Sequence, residues 1–410
     1  MAELPAGQVH DDFTTWARQN GITIKKVKVS AIPNAGIGIV ATEDIKAGET
    51  LVFTPSSFLL TREVAVASVP TLPIRTDENG RERGLHELRT HALIAAVLAT
   101  KSYKEQKSWL DVWPNHNSFK EFMPLLWLQE TQQLLTPSAI SHVNRQREKL
   151  ETDFNLVKGL GFEVTKEGFE HAWVIVNTRT LFYKPASYKD ALREDCMCLC
   201  PFIDYFNHSD EGCKVELSPK GFTVISNREY RAGDQVFVSY GPHNNDFLLC
   251  EYGFLLDNNK YDDVNIDSFI LPRLNQVQKS HLESRDFLGD YNLDQTGFCF
   301  RSQVALRMSL LNVRSGNAAE KLNWLQMYIA GVYDGSREEH FVQETENRIC
   351  GEIINRASDV NKELKRLEGL DRGTSGSNTL VMLRKRWAQV LDIIRELGVN
   401  MGWDGGKLEE

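Results

Sequence analysis

At 410 residues the chain is long enough for two or three domains, each with its own core, and its 41% hydrophobic and 25% charged residues are those of an ordinary globular protein. A net charge of −9 argues against a general nucleic-acid binder, because neutralising phosphates takes a basic face; it is compatible with a basic protein partner. The longest apolar run, about Ala92–Ala99, falls far short of the roughly 20 residues of a membrane span, so no membrane association is expected. Met1–Gly7 has neither a basic nor an apolar region, so no secretory signal is expected. Seven cysteines in a chain of this length do not make a disulfide scaffold, and reduced thiols in the cytoplasm or nucleus are the expectation.

Residues 10–20 have the pattern of a short amphipathic helix closed by Gly21, and Ile22–Ser30 alternates as a strand. Asn34-Ala-Gly36-Ile37-Gly38-Ile-Val follows, then Thr42-Glu-Asp-Ile-Lys-Ala-Gly48-Glu-Thr-Leu-Val-Phe. Short β-rich runs punctuated by glycine, without helices of crossover length, argue against a doubly wound nucleotide fold. Gly36-x-Gly38 lets backbone approach a ligand closely, yet lacks the third glycine and following helix of a dinucleotide fingerprint.

From about Thr61 the texture becomes helical. Leu85, Leu88, Ala92, Leu93, Ala96 and Val97 fall at helical spacing, and Trp109 and Trp113 lie four apart before Pro114. Thr136-Pro137 starts a helix with proline at its first position, and Thr165 opens another that carries Phe169, Trp173 and Val176. The aromatic residues of this stretch read as core packing.

Cys196, Cys198 and Cys200 have period two and share one face of a strand, which raises a metal reading with Cys213 as a fourth ligand. Such positions lie roughly 6.5–7 Å apart, too far for one zinc with bonds of about 2.3 Å, so buried thiols and no metal are expected. Next comes Asp204-Tyr-Phe-Asn207-His208-Ser, an Asn-His pair delivered to the end of an apolar run. Short strand-like runs follow at Lys214–Leu217, Gly221–Ser226 and Gln235–Ser239, the last ended by Tyr240-Gly-Pro; Glu251-Tyr252-Gly-Phe254 lies beyond. Asn, His and aromatic rings with little charge nearby suit an apolar slot with a few placed hydrogen bonds. Asn227-Arg-Glu-Tyr-Arg-Ala-Gly233-Asp-Gln-Val-Phe repeats the texture of Thr42–Phe53, so two similar hairpin elements frame the helical insert. Beyond Tyr261 the periodicity predicts helices at Ser302–Leu311, Ala318–Val332, Glu338–Glu368 and Thr379–Leu397, with a flexible connector at 371–378 and a disordered tail from Gly402.

Taken together and in order, Gly36-Ile-Gly38, Asp204-Tyr-Phe-Asn207-His208-Ser, Val238-Ser-Tyr240-Gly and Glu251-Tyr252-Gly-Phe254 resemble the SET-domain protein lysine methyltransferases. The long helical insert and helical C-terminal block are most similar to the Rubisco large-subunit methyltransferase subgroup, which includes fungal ribosomal-protein lysine methyltransferases. The Cys-x-Cys-x₄-Cys cluster of the histone-tail enzymes is missing after the SET segment. The resemblance implies an α+β fold: a β-rich knotted SET core in two parts, 1–61 and 186–260, interrupted by a helical insert over 62–185. An all-helical, substrate-binding-like domain would follow over 261–410.

The resemblance also implies S-adenosyl-L-methionine as cofactor and a monomer acting on the lysine of a protein, non-histone and ribosomal or translation-associated. Ile37 and Gly38 would approach the cofactor through backbone, Asn207 and His208 would hold its adenine and amino-acid parts, and Arg179 would bind its carboxylate. Tyr240 would be the catalytic tyrosine, also touching the cofactor. Tyr252 and Phe254 would wall the lysine channel, and backbone carbonyls near Thr178 and Asp204 would ring the transferring methyl. Two other readings stand beside this one: a SET-fold binding module without catalysis, and a protein-histidine methyltransferase of the same subgroup.

Overall fold

Residues 5–33, 35–69, 72, 76, 83–103, 106–184, 192–311, 318–370 and 378–400 are described in the computed structural model. The chain divides into two compact units, residues 1–119 with 145–242, and residues 120–144 with 243–410.

In the first unit, the strand expected over Ile22–Ser30 is two strands, Thr23–Ile24 and Val27–Ile32. Lys26 between them has φ 58, and this left-handed residue turns the chain from one sheet into another. Thr23–Ile24 joins an antiparallel sheet with Thr50–Pro55, Gly221–Ile225 and His208–Ser218. Val27–Ile32 pairs with Gly36–Ala41, which also pairs with Gln235–Val236. Both sheets therefore combine strands from before and after the insert.

The two similar runs on either side of the insert bind each other. Ile45 and Tyr230, equivalent in the two runs, exchange backbone hydrogen bonds of 2.9 and 3.0 Å. The Gly48 N–H donates to the Ser226 carbonyl at 2.9 Å, and the equivalent Gly233 N–H donates to the Ala41 carbonyl at 2.8 Å. Ser226 N–H to Glu49 carbonyl and Ala41 N–H to Asp234 carbonyl form a third reciprocal pair, both 2.9 Å. Each contact has its exchange partner, the pattern of a local two-fold. Gly48 and Gly233 supply the positive φ that the turns require, 83° and 86°.

Within the insert, Thr90–Ala99 is apolar all round, and Ala92–Val97 are wholly buried against the helix Lys166–Arg179. Thr165 caps the latter helix, its hydroxyl accepting from the Gly168 N–H at 3.1 Å.

In the second unit the expected helices are present as Phe300–Leu310, Ala318–Ile329, Glu339–Leu370 and Asn378–Asn400. A small sheet of Val264–Asn265, Asn292–Asp294 and Gly297–Phe298 interrupts the helical texture; strands of two or three residues have no room for a legible alternation. The last helix buries Leu383, Trp387, Val390, Ile394 and Leu397 along one stripe. It also carries Arg386, 1% exposed, whose guanidinium meets Asp246 at 2.6 Å, Asp262 at 2.7 Å and the Asp263 carbonyl at 3.0 Å. A charge buried this deeply is tolerated because its donors are matched. Residues 371–377 of the expected connector and the expected tail lie outside the described residues.

Candidate active site

The strand Gly36–Ala41 presents Gly38 opposite Ser30. A side chain at Gly38 would begin 2.7 Å from Asn207 Nδ2, 2.9 Å from Ile32 Cγ1 and 3.0 Å from Gln235 Nε2. Glycine here lets two side-chain amides close over the strand. Both amide nitrogens are buried and have no hydrogen-bond partner among the described residues. Buried donors in folded proteins are nearly always paired, so a pair left open beside one glycine fits a ligand that brings acceptors.

Asn207 and His208 are placed by the Phe237–Tyr240 segment crossing beside them. The Val238 N–H donates to the Asn207 carbonyl at 3.0 Å, the Cys213 N–H to the Phe237 carbonyl at 2.7 Å, and Val238 bridges both His208 and Cys213 in parallel. At Gly212 the crossing is tight enough that an added Cβ would lie 2.2 Å from the Val238 carbonyl carbon. The crossing delivers Tyr240 onto His208. Their rings stack with centroids 5.0 Å apart at 24°, and the Tyr240 backbone N–H donates to His208 Nδ1 at 3.0 Å. His208 Nδ1 is thus an acceptor, which puts the ring proton of the neutral imidazole on Nε2. The Tyr240 hydroxyl donates to the Phe206 carbonyl at 2.7 Å.

Arg179 closes the helix Lys166–Arg179 and reaches the same turn. Its Nη1 donates to the Asp204 carbonyl at 3.1 Å and lies 3.8 Å from Asp204 Oδ2. Its Nε is buried without a partner among the described residues. Neighbouring Thr178 turns its hydroxyl back onto the Val174 and Ile175 carbonyls of its own helix. The Asp204 carboxylate, 2% exposed, accepts from the indole N–H groups of Trp109 and Trp113, each at 3.0 Å. Burial pushes its pKa above the ordinary carboxylate value, against the opposing pull of Arg179 and the two indoles.

Phe202, just ahead of this turn, is wholly buried at φ 71, ψ −36. Such backbone costs on the order of 1–3 kcal/mol and persists only where its surroundings enforce it. Phe13 and Tyr205 pack on its ring, and Tyr205 hydrogen-bonds His10 Nδ1 at 2.8 Å. Burial raises the pKa of the tyrosine and lowers that of the histidine, which favours a neutral phenol–imidazole pair. Cys196, Cys198, Cys200 and Cys213 are all buried, and burial holds the thiols of Cys198 and Cys200 well above their usual pKa, which leaves them poor nucleophiles.

Gly38, Asn207, His208 and Tyr240 are therefore in one cluster, and Arg179, Thr178 and Asp204 adjoin it through the 204–208 turn; Ile37 lies half-buried next to Gly38 in the strand. Tyr252 and Phe254 belong to the second unit, flanking Gly253, which ends the helix Asn245–Tyr252 at φ 78. Their ring centroids are 6.2 Å apart, and burial pushes the Tyr252 phenol up to about 12. Sequence reasoning missed Gln235, Gly212 and the Trp109–Trp113 pair. The tryptophans, read as plain core, are hydrogen-bonded to the buried Asp204 carboxylate, and nothing in their spacing marks that partner.

Residues 36–241 match the SET domain family model, and residues 262–397 match the model described as Ribosomal lysine N-methyltransferase 2 C-terminal domain. Ribosomal lysine N-methyltransferase set11 of Schizosaccharomyces pombe is 26% identical over 394 residues, covering 91% of this chain and 93% of that protein. Ribosomal lysine N-methyltransferase 2 of Saccharomyces cerevisiae is 29% identical over 253 residues, or 50% of this chain and 52% of that protein. The solved structure of Rubisco LSMT bound to AdoMet shares the fold, with a TM-score of 0.65 at 16% identity over 97% of this chain and 92% of that one. With the SET model matched over half its length, through the strand that bears Gly38 and the crossing that bears Tyr240, this chain belongs to the SET-domain family.

Proposed function

We propose that this SET-domain protein-lysine methyltransferase, whose methyl donor is S-adenosylmethionine, acts as a monomer on a lysine of a ribosomal or translation-associated protein. One observation carries the substrate reading: the block following the SET segment matches the C-terminal domain of a ribosomal lysine methyltransferase over residues 262–397. No helix among the described residues is long and apolar enough to cross a membrane, and the reading places the enzyme in the cytoplasm or nucleus.

In this reading Asn207 and Gln235 offer their unpartnered amide donors to the cofactor beside Gly38, where backbone comes closest. Arg179 offers Nε to a carboxylate, the acceptor that a guanidinium fork suits best. The bound cofactor supplies a methyl group on a positively charged sulfur. The residues around it contribute chiefly placement, because in-line displacement depends on alignment of nucleophile, methyl and leaving group. In this reading carbonyl oxygens near Thr178 and Asp204 would stabilise positive charge on the methyl carbon, a weak interaction that would grow toward the transition state.

The lysine, with an intrinsic pKa of about 10.4, must lose its proton before attack. Tyr240 is not the base, because its proton is engaged on the Phe206 carbonyl and the ring is stacked in place. His208 is not the base through Nδ1, which holds the Tyr240 N–H. Deprotonation would instead be favoured by apolar surroundings and by the positive charge that the bound cofactor carries on its sulfur, both of which disfavour ammonium, and the proton would leave to water.

Gly38→Ala is expected to push the Asn207 and Gln235 amides apart and weaken S-adenosylmethionine binding by about tenfold, or roughly 1.4 kcal/mol. Isothermal calorimetry on folded variant checks this; an unchanged Kd would move the cofactor site away from Gly38. The function itself is tested by quantitative mass spectrometry of ribosomal proteins from cells with and without the gene. A methyl-lysine present only with the gene, restored by the wild type and not by Tyr240→Phe, is the expected result. A gene-dependent methyl-histidine would replace the lysine reading, and no gene-dependent methylation despite tight cofactor binding would leave a binding module.

A further inference from the structure

We propose that Trp109 and Trp113 are positioning residues of the methyl-transfer site, acting through the Asp204 carboxylate on Arg179; this rests on the reading of Arg179 as a ligand for the cofactor carboxylate.

The geometry is a buried relay. The two indole N–H groups converge on one oxygen, Asp204 Oδ2, at 3.0 Å each, with the indole rings 4.9 Å apart and nearly perpendicular at 70°. The same oxygen stands 3.8 Å from Arg179 Nη1, beyond hydrogen-bond distance, while Nη1 donates to the Asp204 backbone carbonyl instead. Left to itself, an aspartate beside an arginine prefers a two-pronged pair that occupies a whole edge of the guanidinium. The indoles hold Oδ2 out of that pairing. Arg179 is then anchored through one nitrogen and keeps its buried, unpartnered Nε for a ligand. The retained negative charge still orients the guanidinium from 3.8 Å.

Keeping that charge in a site that is 2% exposed depends on its donors. The groups facing Asp204 are Arg179 from the helix Lys166–Arg179, the two indoles, Cys200 and Tyr205, with His10 bonded behind Tyr205. Burial already favours the neutral acid, so removing one indole donor raises the pKa of Asp204 further.

The test is calorimetric titration of the full-length protein with S-adenosylmethionine across the acidic and neutral pH range. Trp113→Phe keeps a ring and removes one donor. Its Kd is expected to rise about tenfold near neutrality, the worth of one hydrogen bond to a charged acceptor, and the acidic loss of binding to move to higher pH. Asp204→Asn keeps an acceptor for the indoles but cannot titrate; its affinity is expected to be weaker and without that acidic limb. A purely structural role would lower the melting temperature of Trp113→Phe and leave its Kd–pH profile on that of the wild type, which would overturn the proposal. A second measurement needs no variant. The Trp109 and Trp113 indole N–H signals of the ¹⁵N-labelled wild type are expected to shift when S-adenosylmethionine is added; if neither moves at saturation, the relay is not coupled to the site. Wild-type protein that binds no S-adenosylmethionine, or Arg179→Ala that binds it as tightly as the wild type, would instead remove the reading of Arg179 on which the relay depends.

Discussion

Tyr240→Phe is expected to lower methyl-transfer turnover by about 100-fold or more while leaving the Kd for S-adenosylmethionine within a few-fold, the behaviour of a group whose interaction matters most at the transition state. The substitution removes one hydroxyl and little else. The ring remains held by stacking on His208 at 5.0 Å and by its backbone N–H on His208 Nδ1. What disappears is the 2.7 Å hydrogen bond to the Phe206 carbonyl, and with it the fixed phenol oxygen beside the 204–208 turn. Single-turnover kinetics at saturating cofactor separate chemistry from binding, and undiminished turnover would remove Tyr240 from the mechanism.

Gly212→Ala is expected to destabilise the first unit by at least about 3 kcal/mol, at the upper end of overpacking effects. An added Cβ would sit 2.2 Å from the Val238 carbonyl carbon, 2.6 Å from its oxygen and 2.6 Å from the Ser239 nitrogen. Backbone is what it meets, and that backbone is tied down by Cys213, Asn207 and the pairing of Val236 with Ile39. The segment cannot withdraw without carrying Tyr240 off His208, so cofactor binding should fall together with stability. Gly36 is the contrast: its φ of 71 disfavours a side chain, but nothing lies within 4 Å of its would-be Cβ. Gly36→Ala should therefore cost only about 1 kcal/mol. Denaturant unfolding of the two variants makes the comparison, and equal stabilities would mean that the crossing at Gly212 is not tight.

Much of this protein could be read from local pattern. The helices at Lys166–Arg179, Glu339–Leu370 and Asn378–Asn400 announce themselves through apolar spacing and, at Thr165, a capping residue, because a helix buries one stripe and its period is written in consecutive residues. The Asn207-His208 and Tyr240-Gly segments, with Gly36-x-Gly38 ahead of them, were enough to select the family. Their residue types by themselves suggest no more than an apolar slot with a few placed hydrogen bonds; it is their order along the chain that carries the resemblance.

Contacts between distant stretches were legible only as similarity or not at all. Thr42–Glu49 and Asn227–Asp234 look alike in sequence, but only folding brings them together as reciprocal partners, which is how the core closes across an insert of over a hundred residues. Lys26 gives no local sign that it breaks a strand, and Gly212 none that another strand crosses it, since both depend on where a second segment runs. Trp109 and Trp113 show the limit most clearly. Side-chain spacing reports which face of an element is buried, so two tryptophans four apart read as core. The partner of a buried N–H is set by whatever the fold carries to it, here a carboxylate some ninety residues away. By itself, then, the sequence determined the family and the class of chemistry, and it named the candidate residues of the site. The tertiary structure alone decided how the halves of the site are pinned together, because hydrogen bonds between distant residues leave no period in the chain.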